Sequence, residues 1–505
     1  MGLISRPPGP PGTHAEEERG LGTLATVTTL PPCRAGGGGG LDWKVYLADP
    51  AVDLPVGVPA PPVPARMPFL IADDGAYAAD VNHWLRQLPS GGARSPNTWL
   101  AYARDASVWL RFLAKRDVDL WSATDDDVAA FHATRRLSGP HARVSASSWN
   151  RAVSSLDGLY AWGVEHGRIV VSPFKHRIVR SATGAPLRVN QAKEKGARTG
   201  DLRFLALDQY LRFRDVGLLG HLPDGSEDPS GRVVTGFRNA LFADLLVTTG
   251  MRMQECGSLL VAEIPAIETL PPGQKSVAFA LAPAICKRRK GRTIRLPVRL
   301  VRELHRYVDL DRSLALANWR PSSEPDYLIV TDADSLGARI VGRKRRIRWA
   351  DVDPATRRRV LIDKGDGPQP LSLWISDRGG KPINPAHWTG VFDLATQRCR
   401  RAGVEVRATP HMLRHTFAVH TLGHLVREVI ALGRPSPGGQ AAYQRVIADP
   451  LRTLQRLLGH SDLATTHQYL QYTDDAQHLV DDAVSAWADD IAAVAEAAGG
   501  DGEPR

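Results

Sequence analysis

Gly459 does more than any other residue to set the path of the C-terminal part of this chain. It sits in Leu457-Leu458-Gly459-His460-Ser461, with His460 nine positions before Tyr469. On one unbroken helix, nine residues turn the chain by about two and a half rotations, so the imidazole and the phenol would face opposite ways. A glycine at the end of an apolar helix stops it, and Ser461 suits the cap of a second helix. The sequence therefore predicts a break at 459, with His460 between two helices and Tyr469 on the second, folded back toward it.

Three other segments carry groups of the same chemical kind. In Thr409-Pro410-His411-Met412-Leu413-Arg414, Thr409 caps a helix and Pro410 starts it, so His411 and Arg414 share one face of the first turn beside free backbone N–H groups. That arrangement suits an anion. The spacing alone decides little, because His83/Arg86, His132/Arg135 and His424/Arg427 repeat it. In Thr248-Thr249-Gly250-Met251-Arg252-Met253-Gln254-Glu255, an apolar helix ends on glycine and at once presents Arg252, with Glu255 placed to orient it. In Lys287-Arg288-Arg289-Lys290-Gly291-Arg292, a cationic turn joins two strand-like segments, as a solvated tip or a grip on phosphate.

Charge favours a polyanionic partner. The chain carries +10 overall, but nine acidic residues and one basic residue from Asp474 to Arg505 make that tail −8, leaving +18 on the preceding 473 residues. Cys33, Cys256, Cys286 and Cys399 are far apart with no CxxC pair, against a zinc ribbon or a disulfide framework and in keeping with a reducing cytoplasm. No apolar run approaches the length of a membrane span, so no membrane partner is expected. His411, His415, His420 and His424 lie close together, but no Glu adjoins His411 and no thiolate is near; His415 and His420 read as packing and hydrogen-bonding residues rather than metal ligands.

The expected fold class is mostly α with a small antiparallel β-sheet. Residues 1–68, rich in Pro and Gly, read as a disordered extension. Residues 69–182 read as a helical domain: Ser95-Pro96 opens a helix to about 115, Thr124 and Asp127 open a second, and Ser145 opens a third ending near Gly167. A polar, basic connector, His176 to Thr199, looks like a linker. Residues 183–475 read as an α+β domain with a helix over 236–249, strands over 276–282 and 293–298, and insertions near 318–370 and 426–450; 476–505 read as an acidic helix and tail.

Taken in order, these motifs resemble those of the tyrosine recombinase (phage integrase) family. Thr249 to Glu255 matches its TGxRxxE box, His411 to Ala418 its HxxR box, and Leu457 to Ser461 its LLGHS box with Tyr469 at the expected spacing. The hairpin departs from the family pattern, so Lys287 is the chosen lysine and Lys290 an alternative. The resemblance covers about four-fifths of the chain and implies a helical core-binding domain before an α+β catalytic domain. It implies a site-specific DNA recombinase or integrase working through a covalent 3′-phosphotyrosyl intermediate, with neither ATP nor metal, on double-stranded DNA as a homo-tetramer on paired sites or with other recombinase subunits. Tyr469 is then the nucleophile, with Tyr472 as its rival. Arg252 and Arg414 clamp the phosphate, His411 does acid–base work, His460 adds a hydrogen bond, and Lys287 protonates the leaving oxygen. A tyrosine-type topoisomerase and a non-cutting DNA-binding protein are the competing classes.

Overall fold

The computed structural model describes residues 42–48, 64, 66–93, 95–139, 143–180, 186–194, 202–228, 233–317, 319–321, 327–365, 367–432 and 449–472. The chain divides into two compact units, Met1–Asp201 and Leu202–Arg505. The disorder expected for most of 1–68, most of the insertion expected near 426–450 and the acidic helix after 475 lie outside the described residues.

The first unit is built on β1 (Trp43–Leu47), β2 (Pro68–Ala72), α1 (Ala79–Gln87), α2 (Pro96–Ala114), α3 (Asp125–His132), α4 (Ala146–Glu165), β3 (His176–Arg180) and β4 (Pro186–Asn190). The helix starts follow the expected chemistry. The Ser145 hydroxyl accepts the Ser148 N–H at 3.2 Å, and Asp127 accepts the Thr124 N–H at 3.0 Å. The core is aromatic: the Trp109 ring meets Phe131 edge-on at 4.9 Å and its indole N–H donates to the Tyr160 hydroxyl at 2.9 Å, which satisfies a polar atom that burial would otherwise strand.

Two expectations change here. Part of the Pro/Gly-rich extension is ordered, since β1 pairs antiparallel with β2, and the Trp43 carbonyl accepts from the Ser107 hydroxyl at 2.8 Å. The His176–Thr199 connector is not a bare linker: β3 and β4 form an antiparallel hairpin, and the residues after it are fastened to the helices. Glu194 accepts from Arg136 at 2.8 and 2.7 Å and pairs with His132 at 2.8 Å, while the Trp149 indole donates to the Ala192 carbonyl at 2.7 Å. The strands are mostly exposed, so no apolar alternation announced them.

The second unit contains α5 (Leu207–Arg212), α6 (Gly236–Thr249), α7 (Met253–Gly257), a β5–β6 hairpin (Ser276–Leu281, Arg292–Pro297), α8 (Val298–Tyr307), α9 (Ser313–Leu316), β7 (Leu328–Thr331), β8 (Gly337–Ile340), β9 (Arg346–Arg348), α10 (Pro354–Arg357), β10 (Val360–Asp363), β11 (Pro368–Pro370), α11 (His387–Arg401), α12 (Pro410–Leu432), α13 (Pro450–Leu458) and α14 (Ala464–His467). α6 is buried almost all round, and Phe242 on it stacks on Trp388 with centroids 3.6 Å apart. A separate cluster of Phe417, Leu422, Leu454, Leu458 and Tyr469 joins α12 to α13 and the segment beyond it.

The 318–370 insertion is a folded subdomain. Its five strands run in the order β11-β10-β7-β8-β9, antiparallel except for the β10–β7 pair, over a small core of Val330, Ala338, Trp349, Val360 and Leu371. Strands of three and four residues are too short to show a period against so many arginines, which is why the sequence reads as broken pattern.

Candidate active site

α6 ends on Gly250, whose φ of 64° suits glycine, and a Cβ there would lie 2.4 Å from Phe417 Cδ1. The turn aims Arg252 away from the helix and opens α7. Glu255 on α7 is 1% exposed and accepts four donors: the Arg252 N–H at 2.8 Å, Arg252 Nη1 at 2.9 Å, and Arg292 Nη1 and Nη2 at 2.8 and 2.7 Å. Burial pushes this carboxyl up, but the Arg292 guanidinium, the Arg252 N–H and the Arg252 charge together hold it below its ordinary value. Arg292 also donates to the Leu457 carbonyl at 2.8 Å, tying the β-hairpin to the end of α13. The sequence places Arg292 only at the end of the cationic turn; its carboxylate partner is not legible there.

α12 begins as expected, with the Thr409 hydroxyl accepting the Met412 N–H at 3.2 Å. Arg414, 2% exposed, donates to the Gly250 carbonyl and, at 2.5 Å, to the Leu458 carbonyl, so one guanidinium joins both glycine turns. Burial, then the charges of Arg252 and Arg292, lower it to about 9, opposed by Glu255 and Tyr469. Two guanidinium groups thus bind one carboxylate, and a third, that of Arg414, lies within its field. The excess positive charge is what an incoming anion neutralises.

α13 ends on Gly459, with φ 65°, and His460 follows. One detail differs from expectation: Ser461 does not cap the next helix, which starts at Ala464 and lasts four residues, so Tyr469 lies in the turn after α14 rather than on it. The convergence still occurs. The His460 and Tyr469 rings are nearly parallel, 12° apart with centroids at 6.2 Å, and His460 Nδ1 bonds to the Thr466 hydroxyl at 3.0 Å. Tyr469 is 1% exposed, and burial raises its phenol while Arg414 and Arg252 work to lower it.

The direct partner of the Tyr469 hydroxyl is His415, through Nδ1 at 2.9 Å. His411 meets the His415 ring edge-on with centroids 4.3 Å apart. His415 read as a packing and hydrogen-bonding residue; four positions after His411 it shares that face of α12, and the turn carrying Tyr469 makes it a site residue. His420 has the expected structural bond, to the Leu205 carbonyl at 3.0 Å. Burial, with the charges of Arg414, Arg252 and Lys287, lowers the His411 pKa. Burial likewise brings His415 and His460 down to about 4 each, helped by His411 and Arg414 for the first and by Arg414 and Arg252 for the second. All three rings are neutral at pH 7.

Five of the six predicted side chains, Arg252, His411, Arg414, His460 and Tyr469, therefore form one cluster. Lys287 lies on the exposed β5–β6 turn, and its charge acts on His411. Tyr472 faces elsewhere: its hydroxyl accepts the Leu202 N–H at 2.9 Å and its ring packs against Phe204. Among the described residues no three His, Cys, Asp or Glu side chains are grouped to hold a metal ion, and no helix is long and apolar enough to cross a membrane.

The family model for the phage integrase N-terminal SAM-like domain matches residues 81–167, the helical heart of the first unit. Over 420 residues the chain is 24% identical to the tyrosine recombinase XerC of Bifidobacterium longum strain DJO10A, covering 78% of this chain and 93% of that protein. It is 25% identical over 401 residues to the tyrosine recombinase XerD of Mycobacterium tuberculosis strain CDC 1551 / Oshkosh, covering 78% and 94%. A solved structure of the XerH site-specific recombinase, a post-cleavage complex with a palindromic difH substrate, aligns with a TM-score of 0.44 and 15% identity, over 81% of this chain and 88% of that one. Residues 81–167 thus match the phage integrase N-terminal SAM-like domain, and over more than three-quarters of its length the chain is similar to proteins named tyrosine recombinases, which it spans over more than nine-tenths of their own length.

Proposed function

We propose that this chain is a site-specific DNA recombinase that cuts and rejoins double-stranded DNA through Tyr469, and that it works as a homo-tetramer on paired sites. The observation that carries the reading is the position of the Tyr469 phenol, 2.9 Å from an imidazole nitrogen and inside the field of Arg252 and Arg414. The relatives are themselves named tyrosine recombinases.

In this reading the scissile phosphate takes the place of the missing counter-charge among the arginines. Arg414 spends two donors on carbonyls and keeps the rest for phosphate oxygens, while Arg252, steered by Glu255, supplies a second clamp. The phenolic oxygen attacks phosphorus as the bond to the 5′-oxygen breaks. The phenol proton passes to a neutral imidazole, His415 in contact or His411 behind it, and Lys287 gives a proton to the leaving 5′-oxygen. His460 steadies the phosphate. The energy of the broken bond is kept in the 3′-phosphotyrosyl link, so reversal by another 5′-hydroxyl rejoins the strand.

The test is to select bound sequences from a random duplex pool and present them as nicked suicide substrates. A covalent adduct that survives denaturation is expected. Relaxation of supercoiled plasmid without regard to sequence would instead mark a topoisomerase, and binding without any adduct a non-cutting protein.

A further inference from the structure

We propose that the turn between β8 and β9 is a second contact for duplex DNA, gripping phosphates that flank the bond being cut; the inference rests on the recombinase reading for its ligand. From residue 335 to residue 350 there are six cations and no acidic residue. Arg339 pairs with Asp332 at 3.6 Å, Arg348 with Asp351 at 2.8 Å, and Arg346 with Asp334. Arg343, Lys344 and Arg345, all exposed, have no ion pair among the described residues. The side chains of three adjacent unpaired cations repel one another. Basic residues often guard a sheet edge from wrong pairing. Here Arg346 and Arg348 already lie on the edge strand β9, whereas the three free cations lie in the turn, where there is no edge to guard.

The turn is carried by a fixed support rather than a loose loop. Arg357, 1% exposed, donates to both oxygens of Glu263 at 2.7 and 3.0 Å and to the carbonyls of Ser258, Trp349 and Val352 at 3.0, 2.8 and 3.1 Å. The Val261 N–H donates to the Leu371 carbonyl and the Leu373 N–H to the Leu259 carbonyl, at 3.0 and 2.9 Å. The subdomain is thus rooted on the residues that directly follow α7, the helix opened by Arg252. A basic tip on such an arm complements a partner with one negative charge per roughly 1.7 Å of axis.

The test uses the full chain and a labelled random-sequence duplex of about 40 base pairs, with affinity followed between about 50 and 200 mM salt. Replacing all three cations (R343Q, K344Q, R345Q) is expected to flatten the slope of log affinity against log salt by about 2 to 3 and to lower affinity at least about tenfold at the low-salt end. The single R343Q substitution should flatten it by about 1, which guards against misfolding of the triple variant. Unchanged slopes in both variants overturn the proposal. So does polyglutamate competing as well as duplex for the unaltered protein, which would point to an acidic protein segment instead. Tyr469→Phe should bind with an unchanged slope. If the unaltered protein forms no adduct but the slopes still differ, cleavage fails as a reading while the duplex contact stands.

Discussion

His415 Nδ1 lies 2.9 Å from the Tyr469 hydroxyl, so the candidate nucleophile is already in hydrogen-bond contact with an imidazole before any substrate arrives. The acceptor is neutral: burial, then the charges of His411 and Arg414, hold it at about 4. His415→Phe keeps a ring of similar size but removes the acceptor. Loss of proton transfer of this kind typically costs about 100-fold or more in rate, so adduct formation should fall by about that factor while DNA affinity stays within about twofold. A cleavage rate unaffected by this change would remove His415 from the chemistry.

The same two depressed imidazoles set a pH dependence of stability. His415 and His460 are neutral in the folded protein down to about pH 4 but take up protons near 6.5 when unfolded. The unfolded state therefore binds more protons between those limits, and stability is fully present above about 6.5 and declines as pH falls toward 4. Thermal midpoints measured across this window should drop for the unaltered protein and less steeply for His415→Phe. Equal slopes would mean that this ring is not depressed.

Glu255 is the acid that pairs with both Arg252 and Arg292, so Glu255→Gln removes the counter-charge that faces Arg292, 7% exposed in its side chain. Removing one partner of a buried pair costs about 3–5 kcal/mol, and chemical denaturation should show a loss of that size. Cleavage should fall as well, because Arg252 loses the group that orients it. A loss under about 1 kcal/mol would place the pair in effectively open solvent.

Gly250→Ala forces a positive φ on an L-residue and puts a methyl 2.4 Å from Phe417 Cδ1. Strain and overpacking together predict a loss of about 2–4 kcal/mol. Phe417→Leu in the same chain should recover part of it by opening space, while the loss from backbone strain remains. No recovery would show that crowding by the ring is not the cause.

What the sequence made legible follows from locality. Gly250, Gly459 and Thr409-Pro410 act on the residues beside them, so the helix ends that present Arg252, His460 and His411 could be read directly. The partners that complete the site could not. Arg292 reaches Glu255 across 37 positions and His415 reaches Tyr469 across 54, distances over which no local spacing fixes which side chains meet. Ser461 misled for the opposite reason: it is a good cap, but tertiary packing starts the helix three residues later. The β3–β4 hairpin and the 318–370 subdomain were missed because exposed or very short strands leave no apolar period to read.

The most direct test of the account is to trap the adduct on a nicked substrate, digest it and locate the nucleotide-bearing residue by mass spectrometry. The structure separates the two tyrosines, since Tyr469 faces the arginines while Tyr472 is bonded to the Leu202 backbone. The label is expected on Tyr469, lost in Tyr469→Phe and retained in Tyr472→Phe. A label on Tyr472 or any other residue, or an adduct that persists in Tyr469→Phe, would contradict it.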